Sequence, residues 1–189
     1  MTAPAAMKAP VVGDFETVVG RIGVATFSRD FAHRYLVRYG VGSQLVNETG
    51  RTIVWCMLNP STATHDQLDP TLRRCVDFSA REATARGWPG CVMAVVNIYA
   101  LRSTDPAGLW RAADPIGPGN DAAIAAACKA ADLVICGWGA HGERNGRGVE
   151  VAAQLHADGV ELHHLGLTKA GEPKHPLYLA GATPLTRWA

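Results

Sequence analysis

Four nearly unbroken apolar runs, at residues 52–58, 91–98, 132–138 and 160–167, constrain the fold most. Each has strand length, and segments with helical spacing separate them. A strand that is apolar on both faces must be covered on both faces. Such strands alternating with helices belong to a parallel sheet. The expected fold is therefore α/β: a three-layer sandwich with a central, mostly parallel four-stranded sheet flanked by helices.

Helix starts are marked. Asp69-Pro70 puts an N-cap acid before a proline at the first helical position, and Leu72, Val76, Ser79 and Ala83 follow at helical spacing. Asp105-Pro106 repeats the device. Asn120 is expected to cap "DAAIAAACKAA", and "GVEVAAQLHADG" should stop at Gly159. "RYLVRYG" (34–40) reads as a further short strand, followed by a loop with a turn at Glu48-Thr49-Gly50. Residues 1–20, rich in Ala, Pro and Gly, read as a flexible tail before one domain over 21–189.

Composition limits the function classes. The chain has 189 residues, 48% hydrophobic and 19% charged, with a net charge of +1. That is a globular composition without a global signal for nucleic acid. No apolar stretch approaches the ~20 residues that span a bilayer, so no membrane partner is expected. The five cysteines lie mostly in apolar runs and form no CxxC. They read as reduced, buried side chains of a cytoplasmic protein. No His/Asp/Glu cluster has ligand spacing, so neither a metal nor a cofactor is implied.

Ligands of open parallel sheets sit outside the carboxyl ends of the strands. The first run ends at Asn59-Pro60-Ser61-Thr62, where proline restricts the chain just after the amide. The second carries Asn97, then Tyr99 and Arg102. The third ends at Trp138-Gly139, with His141 beyond. The fourth leads into "LTKAGEPKHPLYLA", which holds Lys169, Lys174 and His175. An asparagine amide offers a donor beside an acceptor and pairs with the edge of a nucleobase. Arg102, Lys169 and Lys174 suit phosphate oxygens. Each residue also has a plainer role. Asn59 before Pro60 is a turn former, Asn97 can bond a neighbouring loop, and Arg73 and Arg74 can be a solvated helix face.

In order, these residues resemble the uracil-DNA glycosylase superfamily. "MLNPS" is similar to its first motif, Gly-Ile-Asn-Pro-Gly in the mismatch-specific branch. "AVVNIYALR" is similar to the strand ending Leu-Leu-Asn, "ICGWG" to the one ending Leu-Trp-Gly, and "KHPLYL" to the final His-Pro-Ser-Pro-Leu. The resemblance implies a uracil-DNA glycosylase-like fold and a nucleobase-recognising N-glycosidase acting on a modified or deaminated base. Asn59 and His175 would be catalytic. Asn97, Tyr99, Trp138, Ser61 and Thr62 would hold the base, and Arg102, Lys169 and Lys174 the phosphates. The implied partner is nucleic acid or a nucleotide. Here the last motif lacks Ser-Pro. A binding module without catalysis, and an enzyme acting on free nucleotides in DNA modification, remain as alternatives.

More closely, the whole chain resembles an uncharacterised family of bacterial and phage proteins. Its pattern is "LNPSTA", "DPTLRRC", "VVNIYALRSTDP", "WG" and "LGLTKAGEPKHPLYL".

Overall fold

The computed structural model describes residues 15–46, 50–61 and 67–189. Thr62, residues 1–14 of the expected tail and most of the turn expected at 48–50 lie outside the described residues.

The four apolar runs become four neighbouring strands, β4 (Thr52–Met57), β5 (Gly90–Asn97), β6 (Leu133–Cys136) and β7 (Leu162–His164). They pair in parallel, β4 with both β5 and β6, and β6 with β7. The sheet is nevertheless not the four-stranded, mostly parallel one expected. Among the described residues it has eight strands, in the order β1-β2-β3-β5-β4-β6-β7-β8. The additional strands are β1 (Phe15–Val19), β2 (Gly23–Ser28), β3 (Arg34–Gly42) and β8 (Thr186–Trp188). Each joins antiparallel, which makes four of the seven pairings antiparallel. The outermost strands β1 and β8 are short and largely exposed, and so lack the apolar runs that mark the centre. Strand β1 also falls inside the stretch expected to be a tail.

Helix α1 (Pro70–Ala85) covers one face of the sheet. Its Leu72, Cys75, Phe78 and Ala83 pack on Ile53, Trp55, Met93, Val95 and Ile135. Trp55 is fully buried, and its Nε1 donates to Ser79 Oγ of α1 at 3.0 Å. Helices α2 (Pro106–Arg111), α3 (Asn120–Lys129) and α4 (Arg147–Ala157) cover the other face. There Leu109, Ile124, Cys128, Val151 and Leu155 pack on Val54, Cys56, Val96, Val134 and Leu162. The two faces of each central strand are thus buried against different helices, which is why their sequences do not alternate.

Asp69 and Asp105 cap α1 and α2 as their Asp-Pro pairs suggest. Asn120 does not cap α3. Gly119 holds that position with φ of 82°, and Asn120 is the first helical residue, with its amide turned inward. All five cysteines are buried free thiols. Among the described residues, no helix is long and apolar enough to cross a membrane.

Candidate functional site

The chain leaves β4 towards β5 through α1 on one face, and reaches β6 and β7 through helices on the other. Neighbouring connections that run opposite ways open a crevice at the carboxyl ends of the strands. A cavity of about 730 Å³ lies there. Asn59, Ser61, Asn97, Trp138, Lys174 and His175 all line it.

Asn97 ends β5, opposite Met57 in the parallel ladder, and is 1% exposed. Its carbonyl accepts from Asn120 Nδ2 at 2.9 Å. The next carbonyl, of Ile98, accepts from Asn120 Nδ2 at 3.3 Å and from Arg147 Nε at 3.0 Å. Arg147 is itself buried and paired with Asp121 and Glu150. The backbone under Asn97 is therefore clamped from α3 and α4. Its side-chain Nδ2, by contrast, has no hydrogen-bond partner among the described residues. A buried amide donor without a partner costs free energy, and in a cavity wall it is a place for a ligand acceptor.

Asn59 has a different task. Its Nδ2 donates to Pro60 O at 3.1 Å and to Ser103 O at 2.8 Å, while Ser103 N donates to Pro60 O at 3.0 Å. Both amide hydrogens are spent joining the loops after β4 and β5. Ser61 Oγ donates to Asp69 Oδ2 at 2.5 Å, and Leu72 N donates to Asp69 Oδ1 at 2.7 Å. The cap of α1 thereby brings a carboxylate into the cavity wall.

The opposite wall follows β6. Trp138 is buried, and its Nε1 donates to the buried carboxylate of Glu172. Gly139 has φ of 76°, and a Cβ there would come within 3.2 Å of His175 Cβ. Gly139 N also donates to Pro173 O at 2.8 Å, which ties this tip to the segment carrying His175. His175 caps the short 3-10 helix Pro176–Tyr178, its Nδ1 accepting from Leu177 N at 3.4 Å. Burial lowers the pKa of His175, partly opposed by the charge of Asp69. That shift favours the neutral ring, and a neutral ring whose Nδ1 accepts carries its proton on Nε2.

Three expected site residues do not line the cavity. Tyr99 follows the end of β5, packs in the core beneath α2 and α3, and donates to Arg144 O at 3.0 Å. The guanidinium of Arg102 lies over the Phe27 ring and donates to Phe31 O at 3.2 Å. Lys169 is exposed on the loop after β7. Two charged lining residues not assigned to the site from sequence are Arg34, at the start of β3, and Asp69. Asp69 was legible as a cap, and a cap beside a strand tip is a usable signal. Arg34 gives none, because a bulge in β3, which sets it opposite Phe27, decides its face. Among the described residues, no group of three His, Cys, Asp or Glu side chains converges to hold a metal ion.

A family model described as "Protein of unknown function (DUF1643)" matches residues 34–177. The chain belongs to this family. No curated protein and no solved structure matches it. The DUF1643 match begins at Arg34 and ends at Leu177, so it takes in every cavity-lining residue except Tyr178 and Leu179.

Proposed function

We propose that this DUF1643 chain recognises a nucleobase in the cavity and hydrolyses the N-glycosidic bond of a modified or deaminated base in nucleic acid. The observation that carries the reading is Asn97, which lines the same cavity as His175 and Asp69 and whose buried Nδ2 has no hydrogen-bond partner among the described residues. The ordered likeness of the strand tips to uracil-DNA glycosylases supports it, as does their gathering around one cavity.

In this reading Asn97 pairs with the edge of the base and His175 Nε2 donates to a base carbonyl. Asp69 orients the water, a role that suits a carboxylate better than the Asn59 amide. The water oxygen bonds to the anomeric carbon as the carbon–nitrogen bond breaks. The bond's electron pair leaves with the base, and the proton lost by the water ends on the base nitrogen. Negative charge develops on the departing base, where donors fixed in advance act most strongly. A duplex substrate must flip its base outward. Lys174, exposed at the rim, is the lining cation that a backbone phosphate meets.

The test is a base-release assay on DNA, RNA and nucleosides carrying uracil, hypoxanthine, xanthine and alkylated bases. Release by the native chain, abolished in Asn97→Ala, His175→Ala and Asp69→Asn, supports the reading. No release from any substrate removes the enzymatic claim.

One observation favours a second reading, a module that binds a base or nucleotide without cleaving it. Both amide hydrogens of Asn59 and both oxygens of Asp69 already have protein partners. This reading expects saturable binding with no product.

A further inference from the structure

The segment that carries His175 leaves β7, doubles back where Leu167 bridges to Pro173, and turns at Pro176–Tyr178. Proline fixes the first residue of that turn, and Leu179 N closes it by donating to Pro176 O at 3.2 Å. The chain beyond is tied to α1. Arg74 Nη2 donates to Leu179 O at 2.5 Å, and Arg81 Nη1 donates to Gly181 O at 2.6 Å and to Thr183 O at 2.8 Å. Both guanidinium groups lie 4.9 Å from the centre of the buried Phe78 ring, which steadies them. The backbone on both sides of Tyr178 is therefore held.

Tyr178 is nevertheless 82% exposed, the most exposed large hydrophobic side chain among the described residues. It also lines the cavity, so its ring stands at the mouth. The His175 ring is beside it, with centres 5.6 Å apart and planes tilted by 46°. A ring held in water by a fixed backbone gains from being covered and has little freedom left to lose. Leu167 and Leu177 of the same segment are exposed too. The exposed charges there have one sign. Lys169 and Lys174 face solvent, whereas Glu172, the one acid between Leu167 and Gly181, is buried and accepts from Trp138 Nε1. One rim of the cavity thus offers a flat ring beside cations.

We propose that Tyr178 is a stacking platform for the base next to the one in the cavity, so that the preferred ligand is a single-stranded nucleic acid rather than a free nucleoside. The inference rests on the reading that the cavity holds a base. An aromatic side chain stacks on any base, because every base has a π face, and grooves for single strands combine such rings with cations along the backbone. The positive charge beside Tyr178 complements the phosphates of that strand. A base inside a duplex is already stacked and paired, so its face opens to Tyr178 only after further unstacking. A free nucleoside has no second base to offer.

The test is calorimetric titration of the full chain with three probes: deoxyinosine, a short single DNA strand with deoxyinosine at its centre, and that strand annealed to its complement. Native protein should bind the single strand about tenfold or more tighter than the nucleoside, and tighter than the duplex. Tyr178→Ala should cut the strand's advantage over the nucleoside by about fivefold or more, and Tyr178→Phe, which keeps the ring, should retain it. Folding is checked by circular dichroism, and the exposed position of Tyr178 spares the core. A strand bound no tighter than the nucleoside, or an advantage that survives Tyr178→Ala, overturns the platform while leaving base recognition standing. Tighter binding of the duplex overturns the preference for a single strand. If no probe binds, base recognition itself fails.

Discussion

Replacing Asn97 with leucine should make the unliganded protein more stable. The side chain is 1% exposed, and its Nδ2 lacks a hydrogen-bond partner among the described residues. Leaving such a donor buried costs about 1–3 kcal/mol. Leucine is close in size, and the apolar Met57, Leu72 and Val95 line the same cavity. The backbone clamp from Asn120 and Arg147 acts on carbonyls, so the substitution leaves it in place. The expected gain is about 1–2 kcal/mol, or roughly 2–8 °C in Tm for a chain of this size. Urea titration gives the free energy directly, and a thermal melt gives Tm. The same variant should lose affinity for any base. A loss of about 1 kcal/mol or more would refute the reasoning, since it would mean that the amide serves the fold.

Asn120→Ala should act in the opposite direction, because it strips the Asn97 carbonyl of its side-chain donor; about 1–3 kcal/mol should be lost in urea titration. Gly142→Ala places a methyl against Trp138 Cδ1 and Nε1, and should cost about 1–3 kcal/mol by overpacking, with altered tryptophan fluorescence. Burial lowers the pKa of His175 and of His164, and each ring accepts a backbone N–H at Nδ1. Their contribution to stability is complete above the ordinary histidine pKa of 6.5 and is lost as pH falls from there towards the lowered folded-state values. Thermal melts from about pH 8 to pH 5 should show this decline, and His175→Gln should make it shallower.

The central strands and the starts of α1 and α2 were legible because their signals are local. A strand buried on both faces reads as an apolar run, and an Asp-Pro pair before helical spacing reads as a cap. The edges were not legible in this way. β1 and β8 are short and exposed, and their places come from pairing with distant partners. At the site, reading strand tips brought Asn59, Ser61, Asn97, Trp138, Lys174 and His175 to one cavity. Proximity along the chain was a poor guide for Tyr99, because the backbone leaves the strand at Asn97 and Ile98 and Tyr99 both pack on the other side of the sheet. Arg34 was invisible for the converse reason. Its face depends on one bulge, and a one-residue slip in register leaves no mark in composition or spacing.

The most direct measurement is a titration of isotopically labelled protein with inosine, followed through the side-chain amide resonances of asparagine. If the cavity at the strand tips recognises a base, the Asn97 amide should shift progressively and saturate, and that of Asn59, already held by Pro60 and Ser103, should move less. An unchanged Asn97 amide, with shifts instead beside the smaller cavity between α3 and α4, would contradict the account.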